Sequence, residues 1–315
     1  MMARAQHQLK PDEDASQNAL QGIADSFIEW PRAPTLRYPD ACGLEFEHIW
    51  FPSEDGLPLQ GWFIPASGTR KIIIANHPRW LDRADLPPHL IPLFGSRTAK
   101  GPESDFIADY KILTDAGYNI LAYDLRNFGP VGAVNGSVFS GGRHESRDVI
   151  GALRYVRSHH DLRHMSIGLF SRCVGANATL FAMTRRPDVF VDVRFMVCAQ
   201  PFFVEAVLNR AFERLGIPHC CLDDLDNRVF LNTGFKIAQF SPIPWAKSVA
   251  IPTLLYQATR DCSRNPDDIH TAYDAIPCPQ KKLVRIDGKN GSSDGYAYFQ
   301  RQPNEILSWC EEHMT

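Results

Sequence analysis

The sequence predicts an α/β protein, a mostly parallel central sheet with helices on both faces and one helical insertion. Three observations predict it. From about residue 45 onward, strand-like and helix-like stretches alternate, as a parallel sheet with crossover helices requires. Several of the strand-like stretches are unbroken apolar runs, such as "KIIIANHP" at 71–78, which suits strands covered on both sides. In mid-chain, "GLFSRCVGANA" at Gly168–Ala178 runs a strand into a helix through a tight turn. Ser171 and Gly175 are small and stand two positions either side of the apex, Cys173, as a turn that sharp demands.

The elements follow in order. "FEHIWFPSEDGLPLQGWFIPA" (46–66) reads as two alternating strands around Asp55-Gly56, a hairpin signal. The run at 71–78 is the next strand. The stretch 103–118 has helical apolar spacing and ends near a glycine, a common helix stop. A strand and its exit loop occupy 119–129, and an amphipathic helix occupies 145–160. The turn around Cys173 joins a strand at 165–170 to a helix from 176, and 193–202 is another buried strand. Residues 203–248 then break the rhythm with "EAVLNRAFERLGI", adjacent Cys220 and Cys221, and scattered aromatic and proline residues. This stretch is expected to form a helical cap over the carboxyl ends of the strands. The alternation resumes with a strand at 252–261, a helix at 266–276, a strand at 281–288 and a last helix at 303–313. The expected organisation is an arm at 1–44, a core in two parts at 45–202 and 249–315, and the cap at 203–248.

Composition narrows the function. The chain has 315 residues, a formal net charge of -3 and 44% hydrophobic residues, ordinary for a soluble globular protein with a large core. Near-neutral charge gives no reason to expect nucleic acid or an acidic membrane surface as partner. No apolar run reaches about 18 residues, and the polar start "MMARAQHQLKPDEDASQNAL" lacks the apolar segment of a secretory signal. It reads as a mobile arm. Eight cysteines form no CxxC pair and suit neither a zinc ribbon nor a disulfide framework. A reducing, cytoplasmic setting is the expectation, with no metal and no cofactor.

In a parallel sheet, chemistry is placed at the carboxyl ends of the strands, and Cys173 sits at one of them. Its turn precedes a helix N-terminus, which supports negative charge. With Ser171-Arg172-Cys173-Val174-Gly175, the strand order and Asp124-Leu125-Arg126-Asn127-Phe128-Gly129 in hand, the chain resembles the α/β-hydrolase superfamily from roughly residue 45 to 313. A cysteine at the apex resembles the dienelactone-hydrolase branch, and the layout is similar to fungal polyketide transferases, which pass an acyl chain from a carrier to an alcohol. The resemblance implies Cys173 as nucleophile and Asp261, ending "LLYQATRD", as the acid. It also implies an oxyanion hole made by the N–H of Val174 and a second N–H from Arg79 or Trp80, since Pro78 has none. Arg79, Trp80 and Arg172 are further candidates to meet a carboxylate or phosphate on a ligand.

The third member of the relay departs from the family pattern. The loop "IDGKNGSSDGYAYF" (286–299) contains no histidine, and Ser292 or Ser293 falls near its expected place, beside Asp294. A serine cannot take a proton from a thiol at neutral pH, so a Cys-His-Asp relay cannot be assembled from the usual positions. His77 is the first substitute to consider as base, with His144 behind it. His270 reads as a helix surface residue, and His159, His160 and His164 lie at the wrong end of the strands. The leading expectation is ester or thioester hydrolysis, or acyl transfer, on a small molecule that can be carrier-bound. A lyase or cyclase using the same pocket, or a catalytically silent binding protein, are the alternatives. Oligomeric state is left open.

Overall fold

Side-chain alternation decides where each strand's residues go. The computed structural model describes residues 13–28, 35–79, 82–85, 105–129, 133–259, 266–288 and 292–314. The hairpin forms β1 (Glu47–Pro52) and β2 (Pro58–Ile64), and the apolar run 71–78 forms β3 (Lys71–Asn76). Then come β4 (Asn119–Tyr123), β5 (Ser166–Arg172), β6 (Val193–Ala199), β7 (Thr253–Ala258) and β8 (Lys281–Ile286). In β3, Ile72 and Ile74 enter one core with Leu121, Leu169 and Met196. Ile73 and Ala75 enter the opposite core with Ile120, Phe170 and Val197. Successive residues of a strand point to opposite faces, so both faces of this strand must be apolar, which its run of isoleucines satisfies.

The strands make one sheet in the order β1-β2-β4-β3-β5-β6-β7-β8. The strand β2 is antiparallel to β1 and β4, and the remaining neighbours are parallel. The described helices are α1 (Glu13–Asp25), α2 (Phe106–Asp115), α3 (Ser146–Ser158), α4 (Val174–Arg185), α5 (Val204–Leu215) and α6 (Leu222–Thr233). They continue with the short α7 (Ile243–Ala246), then α8 (Pro266–Ala275), α9 (Ser292–Tyr296), α10 (Tyr298–Arg301) and α11 (Pro303–His313). Residues of α3, α4, α7 and α8 cover one face, while α2, α10 and α11 cover the other. The two-faced parallel sheet expected from the sequence is therefore the observed fold.

The strand β6 leads into α5, and α5 and α6 lie over the carboxyl end of β5. Val204, Leu208 and Phe212 of α5 and Leu225 and Val229 of α6 share one buried cluster with Cys173. The end of the 203–248 stretch rejoins the main core, where Trp245 of α7 packs on Phe181 of α4 with ring centroids 4.8 Å apart. Residues 13–28, expected as part of a mobile arm, instead form a docked helix and turn. Leu20 and Ala24 are fully buried and Phe27 nearly so. Among the described residues, no helix is long and apolar enough to cross a membrane.

Candidate active site

Cys173 stands between β5 and α4 with φ 50° and ψ -113°, outside the regions an L-residue normally adopts. Such a conformation costs about 1–3 kcal/mol and persists only where its surroundings over-determine it. Here they do. The Cys173 N–H donates to Ala199 O at 2.8 Å, and the Asn177 N–H donates to Cys173 O at 3.0 Å. Gly175 lets α4 approach β3, since a Cβ there would lie 2.6 Å from Asn76 O and 2.7 Å from His77 O. Ser171 is buried, and its Oγ pairs with Thr179 Oγ1 at 2.8 Å and accepts from Asn76 Nδ2 at 2.8 Å. Both flanking small residues thus answer to packing inside the turn. As the first residue of α4, Val174 has an N–H without an intrahelical partner, the donor expected of an oxyanion hole.

The motif after β4 is held by buried ion pairs and a bond to His77. Asp124 accepts from the Arg83 backbone N–H and pairs with its guanidinium, both side chains being almost fully buried. Arg126 pairs with Asp148 of α3 at 2.7 Å and with Asp55 of the hairpin turn at 2.6 Å. Gly129 has φ +61°, and any Cβ there would collide with the Asp124 carboxylate. The Leu125 N–H donates to His77 Nε2 at 2.9 Å, so His77 Nδ1 carries the proton and donates to Pro78 O at 2.7 Å. Burial pushes the imidazole down to about 4, against the opposing pull of the Pro78 carbonyl and Asp82. The ring is neutral and both its nitrogens are occupied by backbone groups. It has no lone pair left for the Cys173 proton, so the expectation of His77 as a substitute base is corrected to a bracket joining the β3 and β4 exits.

Arg172 also departs from expectation. Its Nη2 donates to Asp109 of α2 at 2.6 Å, with both side chains about 1% exposed. Its guanidinium lies over Phe170 at 3.7 Å and Phe106 at 4.8 Å. Asp109 accepts a second bond, from Gln300 Nε2, at 3.0 Å, and burial raises its carboxyl to about 6 against the pull of Arg172. The guanidinium expected to meet a ligand anion meets this carboxylate instead.

Arg79 is on the Cys173 side. It is buried, its Nη2 donates to Ser26 O at 2.8 Å, and its guanidinium lies 4.1 Å from the centre of the Phe139 ring. Phe202 and Phe27 flank it at 5.8 and 5.9 Å. Burial pushes the guanidinium well below its ordinary range, against the Coulombic pull of the neighbouring Cys173 and Glu145. Glu145, which opens the helical stretch 145–160 and carries no motif, is buried, accepting from Ser140 Oγ and from the Gly142 N–H at 3.0 Å. The turn residues Ser140-Gly141-Gly142 ahead of it were the available signal.

Asp261 and Trp80 lie outside the described residues. Ser292 opens α9. Asp294 seats over Gly288 and accepts from Arg301 Nη1 at 2.8 Å, while Tyr296, at the other end of α9, packs against the Cys173 cluster. His144 turns its ring to Phe235 of the cap, 5.5 Å between centroids. A cavity of about 330 Å³ lined by Ile286, Asp287, Gly288, Asp294, Tyr298 and Arg301 opens beside β8. Its apolar members Ile286 and Tyr298 belong to the core on the α2 side, not to the Cys173 cluster.

Sheet order, strained turn and cap together define an α/β-hydrolase fold. No protein-family model and no curated protein sequence matches the chain. An esterase from Pyrococcus furiosus superposes with a TM-score of 0.69 at 16% identity, over 92% of this chain and 99% of that one. A dienelactone hydrolase from Anabaena variabilis gives 0.53 at 14% identity, over 86% of this chain and 99% of its own. An α/β hydrolase from a Penicillium species gives 0.54 at 17% identity, over 86% and 99%. At these identities the likeness establishes the fold.

Proposed function

We propose that this protein cleaves an ester or thioester of a small molecule through Cys173, with water or an alcohol accepting the acyl group. The observation that carries the reading is the strained backbone of Cys173, held at the carboxyl end of β5 and at the head of α4. Backbone strain of this kind clusters at functional sites. The solved structures of similar fold include esterases and a dienelactone hydrolase, which supports ester chemistry as the class.

In this reading the Cys173 sulfur attacks the substrate carbonyl, and its proton leaves with the departing alkoxide or thiolate. The developing oxyanion is met by the Val174 N–H and by a second backbone N–H from the segment after β3, at Arg79 or Trp80. The acyl-cysteine then passes its acyl group to water or an alcohol, whose proton returns to sulfur. Asp261, which follows β7 in the sequence, would act through its charge. A thiol needs less help from a base than a serine hydroxyl does, which suits a site with no histidine at the usual position.

The occupied nitrogens of His77 favour a second reading, in which the pocket serves a lyase or cyclase, or only binds. A fluorogenic thioester separates them. Cys173→Ala should keep its fold and lose turnover by ~10³-fold or more, and the wild-type protein should show an acyl adduct on Cys173 by mass spectrometry. Turnover within a few-fold of wild type in the alanine variant rules out the covalent route.

A further inference from the structure

Cys173 is only 5% exposed, and the buried cluster that holds it includes Leu20 and Ala24 of α1 and Phe27 of the turn that follows. The Ser26 carbonyl accepts from Arg79, and the Phe27 carbonyl accepts from the Phe139 N–H at 2.7 Å. The Phe27 ring sits against Phe139 and Phe240, with centroids 5.9 and 5.4 Å apart. The helix behind it is tied to the cap: Arg228 of α6 donates to Gln21 at 3.0 Å and also to Gln17, and Asn232 donates to Asp25 at 3.3 Å. A carbonyl oxygen on a buried guanidinium, with an apolar ring beside it in the cluster that holds Cys173, has the form of a bound acyl compound.

We infer that Ser26-Phe27 is a built-in occupant of the acyl site, and that it yields to a ligand carrying an aromatic or apolar body and a carbonyl or carboxylate oxygen for Arg79. The inference deepens the reading of Cys173 as nucleophile and rests on it for the ligand's reactivity. The apolar cluster around the sulfur (Phe139, Val174, Val204, Leu208 and Phe240 among it) supplies the body's environment. Arg79, buried among three phenylalanine rings, selects the oxygen, because a buried cation favours an anionic or strongly accepting partner. Entry then requires α1 to move with its turn, and the exposed polar bonds to α6 are the weak part of that contact.

Iodoacetamide labelling tests this without requiring turnover. Site-resolved mass spectrometry on the full chain follows Cys173, with the exposed Cys220 as internal reference. Phe27→Ala should speed alkylation of Cys173 by about tenfold or more relative to Cys220. Arg228→Ala, which loosens α1 without entering the pocket, should move it the same way. In Phe27→Ala, 4-phenylbutyrate should protect Cys173, whereas 4-phenylbutylamine, which Arg79 repels, should not. Cys173 labelling unchanged in both variants overturns the inference, as does equal protection by acid and amine. These readouts separate it from the proposed function, whose failure appears as activity retained in Cys173→Ala.

Discussion

His77 shows what one buried ring does to the pH dependence of the protein. Burial holds it at about 4, against about 6.5 in an unfolded chain. Between those values the unfolded chain binds the proton more readily. Stability contributed by the neutral ring is therefore complete above pH 6.5 and is lost as pH falls toward 4. His77→Gln removes both backbone bonds of the ring, and should cost about 1–3 kcal/mol at pH 7.5. That cost should shrink steadily toward pH 4.5 in urea titrations, and a cost independent of pH would refute the buried neutral imidazole. Asp82, raised to about 6 by burial and by Asp124 and pulled down by His77, titrates in the opposite sense, and losing His77 raises it further, which shrinks the cost toward low pH in the same direction. At this scale the turn around Cys173 was readable, because small residues must flank such an apex. The fate of Arg172 was readable too, but only through strand alternation. It lies two positions after Phe170, on the same face of β5, so it points to the α2 side and finds Asp109 there.

The helix α9 offers the test of the missing base. Positions 292 and 296 are one helical turn apart and share a face, and Tyr296 packs against the Cys173 cluster. Ser292→His should place an imidazole on that face, with Ser293→His the neighbouring choice. A general base is worth ~10²–10⁴-fold, so hydrolysis of an activated ester should rise measurably in at least one variant. Unchanged turnover in both, with folding confirmed by circular dichroism, means that the helix turns this face elsewhere. The eight strands could be read from the sequence because apolar runs bounded by turn residues leave few other choices. Helices α9 and α10 could not, since four or five residues do not complete enough turns to show a period. The helix α1 was hidden by its polar surroundings, although Leu20, Ile23, Ala24 and Phe27 stand at helical spacing. A stripe that short says nothing of its partner, and the partner is what orders it.

Across the whole molecule, Arg126 ties together parts that are distant in sequence: the hairpin turn through Asp55, the loop at Asn135 and helix α3 through Asp148. Removing it leaves Asp148 buried without its cation, and burial already raises that carboxyl to about 7 against the pull of Arg126. Arg126→Met should cost about 3–5 kcal/mol and lower Tm by roughly 10 °C in scanning calorimetry. A second change, Asp148→Leu, should recover part of the loss, because an apolar pair can replace a buried ion pair. A Tm within 2 °C of wild type for Arg126→Met alone would sink the idea that this pair holds the segments. The mostly parallel, two-faced sheet followed from the alternation of elements, but this tie did not, since charged residues far apart in sequence carry no mark of their pairing.

The position of α1 in the chain has a consequence for how the protein is made. Its partners Phe139, Arg228, Asn232 and Phe240 leave the ribosome long after it does. A helix of 13 residues is marginal by itself in water, so α1 emerges early and has nothing to fold against. Strands β1–β6 and the turn at Cys173 precede residue 228 in the chain, so they are made before α1 has its partners. Each newly made molecule then passes through an interval in which α1 waits without a partner while most of the sheet is already on the chain.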